Sequence, residues 1–71
     1  MTTADGLAAA RAIRAGGLVL REHEMRDCSL PTGEAFNVRV VRDRRRGERL
    51  LMATRAIRSG EALVLAPLAE G

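Results

Sequence analysis

The stretch Arg11-Ala12-Ile13-Arg14-Ala15-Gly16 returns later in the chain as Arg55-Ala56-Ile57-Arg58-Ser59-Gly60. Each copy leads into a short apolar run, Leu18-Val19-Leu20 after the first and Leu63-Val64-Leu65 after the second. Each is preceded by apolar residues, Ala8-Ala9-Ala10 and Met52-Ala53. An internal repeat is read first because it constrains the whole architecture. Two copies are too few for a solenoid, and they fit two related halves of one small core. Taken alone, the first copy reads as a helix. Leu7 to Ala15 is rich in Ala and Arg, Asp5 is a candidate N-cap and Gly16-Gly17 a stop. The second copy follows Glu48 to Thr54, which reads as a strand. Similar sequences in one chain take similar shapes, so both copies are predicted as strand, tight turn, strand. In that shape Ile13 and Ile57 plug the core. Gly16 and Gly60 take the positive-φ position that closes each turn.

The remaining segments fit around this pair. Phe36, Val38 and Val40 alternate with Asn37, Arg39 and Val41, the period-two pattern of a half-buried strand. Asp43-Arg44-Arg45-Arg46-Gly47 is a polar turn, and Leu50 and Met52 fall on one face of the return strand. Arg26 to Gly33 is a loop by composition. Glu22 and Glu24 are two apart in a predicted strand, so they share a face, read as the solvated one.

Composition bounds the rest. The chain has 71 residues, enough for a single small domain over 1–71. A domain of this size buries only about 60% of the surface its unfolded chain exposes, so partners, metals or disulfides commonly add stability. Cys28 is the only cysteine and His23 the only histidine, so neither an internal disulfide nor a metal cluster is expected. Phe36 is the only aromatic residue, which makes the core aliphatic. The net charge of +3 permits contact with an acidic surface without requiring it. No targeting or membrane-spanning segment is read, and a free cysteine without an export signal points to the cytoplasm.

Candidate chemistry is sparse. Cys28 and His23 lack a third group to orient them as nucleophile and base. Gly16, Gly17, Gly33, Gly47 and Gly60 never fall at the spacing of a phosphate loop. Arg42, Arg44, Arg45, Arg46 and Arg49 cluster at the hairpin tip and are candidate phosphate or partner contacts. Against phosphate, no aromatic stands nearby to stack a base, and Asp43 and Glu48 neutralise part of the charge.

Three stretches carry a family resemblance. Cys28-Ser29-Leu30-Pro31-Thr32 lies where a Ser-Cys-x-Pro-Asn motif would fall. Phe36 to Met52 supplies a hairpin. Ala53-Thr54-Arg55-Ala56-Ile57-Arg58-Ser59-Gly60-Glu61-Ala62-Leu63 is similar to a closing Ala-x-Arg-Asp-Ile-x-x-Gly-Glu-Glu-Leu motif. From Asp27 to Leu65 the chain thus resembles the C-terminal part of a SET domain, the fold of protein lysine methyltransferases. Ala10 to Gly16 resembles that domain's opening strand-turn-strand. The related SAF domain carries a similar Ile-x-x-Gly turn. The resemblance implies a fold and argues against the reaction. Arg26 and Asp27 stand where the family's Asn-His pair helps hold S-adenosylmethionine. Leu65 and Pro67 stand where its late tyrosines lie, and the middle of the domain is missing. The chain contains no tyrosine.

The expected fold is therefore mostly β: a small β-clip-like, SET- or SAF-like arrangement of short hairpins, with room for a short helical turn near the N-terminus. The expected function is a non-catalytic SET-like binding module without cofactor, acting through a protein partner or as a homo-oligomer. An unpaired edge such as Leu18 to Glu22 would take the partner. One alternative is a nucleic-acid-associated module using the arginine tip. Another is a fragment of a split or degenerate methyltransferase.

Overall fold

The two repeated units pair with each other. In the computed structural model, which describes residues 7–25 and 29–67, Ile13 and Ile57 form an antiparallel bridge. Each donates its N–H to the other's carbonyl, at 2.9 and 2.8 Å. The bonds around them come in matched pairs. Gly16 N–H donates to Ala53 C=O and Gly60 N–H to Ala9 C=O, at 2.9 and 2.8 Å. Ala53 N–H donates to Gly17 C=O and Ala9 N–H to Glu61 C=O, each at 2.9 Å. Exchanging one copy for the other maps every one of these bonds onto its mate, so an approximate twofold axis passes through the Ile13–Ile57 pair.

The turns obey the same symmetry. Gly17 N–H closes onto Arg14 C=O at 2.9 Å and Glu61 N–H onto Arg58 C=O at 3.0 Å. The third residue of each turn is a glycine with positive φ, Gly16 at 82° and Gly60 at 84°. That is the conformation a type II turn demands and a Cβ opposes. No helix forms between Leu7 and Ala15. Alanine's helix propensity is worth only tenths of a kcal/mol per residue, and the pairing of Ile13 with Ile57 outweighs it.

After the first turn come β1 (Leu18–Arg21), α1 (Glu22–Met25), β2 (Val38–Asp43) and β3 (Glu48–Ala53). The strands form one antiparallel sheet in the order β1-β3-β2. Among the described residues helix is confined to the single turn of α1, which corrects one expectation: Glu22 and Glu24 are not in a strand. The local cause is a cap. Glu24 Oε1 accepts the N–H of Arg21 at 2.9 Å, half of a capping box. Of the predicted loop, residues 26–28 lie outside the described residues, including Arg26, Asp27 and Cys28. Beyond them Leu65 N–H donates to Pro31 C=O at 2.8 Å, which ties the loop to the chain's last described stretch.

β1 contains a bulge. Leu18 pairs with Met52 while Leu20 pairs with Leu51. Directly opposed residues point to one side of an antiparallel sheet, so the bulge puts Leu18 on one face and turns Leu20 to the other. Val19 and Leu20 both pack on the core as a result. Among the described residues the buried apolar ones are Ala9, Ile13, Val38, Leu51, Ala53, Ile57 and Leu63. Two symmetry pairs, Ala9 with Ala53 and Ile13 with Ile57, make up four of them. Val38 is buried as the alternation predicts, but Phe36 and Val40 are 36% and 40% exposed. Phe36 precedes the strand, and Val40 lies beyond the Val64 to Ala66 stretch that closes over Val38. Asn37, read as an outward residue, is 1% exposed.

Because Ile13 and Ile57 occupy equivalent places, removing one methylene from either should cost the same. Ile13→Val and Ile57→Val are each expected to lose about 0.5–1.5 kcal/mol. Urea denaturation measures both, and a difference greater than the range itself would contradict the equivalence.

Candidate interaction surfaces

The hairpin tip is built by Asp43. Its Oδ1 accepts the N–H groups of Arg45 at 3.1 Å and Arg46 at 3.4 Å. Its carbonyl accepts the N–H of Gly47 at 2.8 Å, and Gly47 takes φ 65°. An aspartate that satisfies turn amides in this way is a turn former. Glu48, the other carboxylate flanking the run, pairs with Arg21 at 2.9 Å. Among the described residues neither Asp43 nor Glu48 forms an ion pair with the turn arginines, although the Asp43 carboxylate keeps its charge beside them. Arg44, Arg45 and Arg46 are exposed, and none takes part in an ion pair among the described residues.

The other two arginines are elsewhere. Arg42 and Arg49 are directly opposed across β2 and β3. Like charges so placed repel, and Glu22 stands beside them. Its Oε1 accepts the N–H of Arg49 at 2.7 Å and its Oε2 the Arg49 Nη2 at 3.3 Å. Arg21 is the last β1 partner of β3, at Leu50. The Glu22 carboxylate thus takes the next N–H of β3 where a strand carbonyl would have stood. Those bonds from Arg49, backbone first and side chain second, hold Glu22 below the ordinary glutamate pKa. The structure divides the five arginines into Arg42 and Arg49 on the sheet and Arg44, Arg45 and Arg46 on the turn.

A buried polar brace joins β2 to the second repeat. Asn37 Nδ2 donates to Glu61 Oε2 at 3.0 Å and to Ala62 C=O at 2.9 Å, while its Oδ1 accepts Val64 N–H at 2.8 Å. Glu61 also accepts the N–H of Arg58 at 2.9 Å and Arg55 Nη1 at 3.1 Å. The Arg58 amide, then Asn37, then Arg55 hold its carboxyl below the usual range. The donors and acceptor of Asn37 are all taken by the chain itself, which makes this pair a brace and not a reaction site. Sequence reasoning missed it, because Asn37 shares the outward side of the predicted alternation with Arg39.

The sheet is covered on one side. Val38, Leu51 and Ala53 face the core. On the opposite face Leu18 and Arg39 flank Met52, and Arg21 and Val41 flank Leu50. Leu18, Val41, Leu50 and Met52 remain half-buried, and none belongs to the apolar group packed on the core. Leu50 and Met52 share a face as predicted, and it is the open one. A shallow groove lined by Gly16, Arg39, Val41, Met52 and Thr54 runs across it. The sequence signal for two apolar faces was the doublets Val40-Val41 and Leu50-Leu51, which alternation alone does not explain.

His23 is exposed on α1. Among the described residues no group of three or more His, Cys, Asp or Glu side chains is placed to hold a metal. No helix among them is long and apolar enough to cross a membrane. No protein-family model, curated protein or solved structure matches the chain.

The depressed carboxyl of Glu61 sets a pH dependence. A glutamate whose pKa is lower folded than unfolded stabilises the fold fully above its unfolded value, about 4.3. That contribution is lost as the pH falls through the lowered value. The thermal midpoint is expected to drop below about pH 4, and to drop less steeply in Glu61→Gln than in the parent. Equal slopes for the two proteins would separate Glu61 from the acid transition.

Proposed function

We propose that this chain is a non-catalytic binding module of the SET-like, β-clip kind, working by association with other protein chains. A second copy is the partner that covers the open sheet face. The observation carrying this reading is the row of half-buried Leu18, Val41, Leu50 and Met52 on a sheet face that the core leaves bare. Apolar surface of that kind, rimmed by polar groups, marks association sites. Its rim carries both signs, Arg21 and Arg39 with Glu48, so the face complements itself across a twofold axis. The small size of the chain supports the same reading, since one-sided sheets gain stability by covering the other side.

The non-catalytic half of the proposal rests on the residues at the family's working positions. The resemblance from Asp27 to Leu65 supports the fold, while Leu65 offers an aliphatic side chain packed on the core where a tyrosine would be needed. Pro67 at the second such position has no hydroxyl, and the chain has no tyrosine to replace it.

Sedimentation velocity over a concentration series tests the association. Three short strands make a small interface, so dimerisation is expected with a dissociation constant of about 10 μM to 1 mM. Leu50→Gln with Met52→Gln should abolish it while leaving the fold intact by circular dichroism. A parent chain that stays monomeric up to about 1 mM overturns the reading. Calorimetric titration tests the non-catalytic half. No heat of binding is expected from S-adenosylmethionine, and micromolar binding would favour a methyltransferase fragment instead.

A further inference from the structure

The outer edge of β2 is closed at its start and open beyond it. Val38 N–H donates to Val64 C=O at 3.3 Å, and Val38 C=O accepts Ala66 N–H at 2.9 Å. Both groups point away from β3. Backbone groups alternate along a strand, so those of Val40 and Arg42 point the same way. No backbone hydrogen bond outside the sheet ladder reaches either residue among those described. Among the described residues the strip from Val40 to Asp43 is therefore a free edge. It begins at the exposed side chain of Val40 and runs into the arginine turn.

We infer that this edge, together with Arg39, Arg42 and Arg44 to Arg46, captures an acidic extended peptide as an added strand. The inference rests on the chain being a binding module. It uses the outer strand edge and shares only Arg39 with the rim of the open face, and peptide binding is read apart from dimerisation, so the two can fail independently. Main-chain bonds to Val40 and Arg42 supply the docking geometry, and the side chains choose the partner. Val40 and Arg42 lie on one side of the new strand pair and Arg39 on the other, all exposed. An incoming strand thus meets positive charge on both of its faces, then Arg44, Arg45 and Arg46, which have no paired carboxylate among the described residues. A second copy fits this edge poorly, because β2 against β2 would set arginine beside arginine. Charged residues on an edge strand exclude self-pairing in this way. A segment rich in Asp or Glu with an apolar residue opposite Val40 satisfies both the edge and the charge. Nucleic acid fits less well, since the arginines on β2 occupy both faces of a ribbon and no aromatic lies among them to stack a base.

Fluorescence anisotropy tests this with a short labelled peptide in which glutamate alternates with valine. Binding is expected at about 10–100 μM in low salt, weakening as salt rises because the charges are exposed. The same peptide with lysine for glutamate should not bind. Arg42→Glu with Arg44→Glu, which leaves the open face untouched, should weaken binding at least about tenfold. Val40→Pro removes only an outward N–H, a substitution that edge strands accept, and should weaken it comparably. The peptide with N-methylated valines, tested against the unchanged protein, should lose affinity without any change to the fold. No binding by the glutamate peptide overturns the inference while leaving the dimer reading to its own experiment. Full affinity of the N-methylated peptide also overturns it, because charge alone would then hold the ligand. Tighter binding of duplex or single-stranded DNA than of the peptide overturns it in favour of nucleic acid. A clear gain in affinity in a chain ending at Pro67 overturns it in favour of residues 68–71 as the occupant.

Discussion

Two hydrogen bonds between Ile13 and Ile57, one in each direction, join the repeated units at their axis of approximate symmetry. The position of everything else follows from that join. Each isoleucine is buried as its backbone is paired, 8% and 2% exposed, so one contact serves both the ladder and the core. On either side the glycine turns reverse the chain and bring Ala9 and Ala53 in as small residues close to the axis. The turn after Ile13 delivers β1 to β3, and the turn after Ile57 delivers Leu63 into the core. Val38 is sealed because the stretch from Val64 to Ala66 also closes over it, and Val40 lies beyond that stretch.

The symmetry is broken where the second unit takes on extra work. Gly17 and Glu61 are equivalent positions. A Cβ at Gly17 would lie 2.9 Å from Ile13 Cγ2 and 3.0 Å from the Arg14 carbonyl, so a side chain there would force a shift. At Glu61 a full side chain is accommodated and gathers Asn37, Arg55 and the Arg58 amide. β2 is thus anchored to one repeat only. The chain past Leu63 then closes over the start of β2, through Val64 and Ala66, and leaves its far half unpaired. The open edge is a consequence of that one-sided anchoring.

Much of the fold was legible because the repeat carried its own turn chemistry. An isoleucine three residues before a glycine, twice, implies two equal turns, and the helix suggested by the alanines yields once the copies are compared. The hairpin was legible from Val38 and the Asp43 to Gly47 turn. Less legible were features that depend on what lies across from a residue. Nothing local to Glu22 says that it will stand in for a strand carbonyl opposite Arg49. Asn37 reads as an exposed strand position until Glu61 and Val64, far along the chain, come to meet it. Counting charges at the tip also left their geometry open: Asp43 turns its carboxylate to the turn amides and Glu48 pairs with Arg21. Pairing depends on geometry, and sequence proximity is a poor guide to it.

The two surfaces assigned to association differ in the physics that would hold a partner. The open face offers half-buried Leu18, Val41, Leu50 and Met52 with a rim of both signs, so attraction there is hydrophobic and little affected by salt. The β2 edge offers free amides and unpaired positive charge, so attraction there is directional and screened by salt. A fold this small has only one layer with which to bury a sheet, and the repeat pair supplies it. The uncovered face and the unpaired edge are then what remains of the sheet's bonding capacity. Edge arginines would repel a second copy while the open face would accept one, so under the two proposals self-association and partner capture would use the face and the edge of the same three strands.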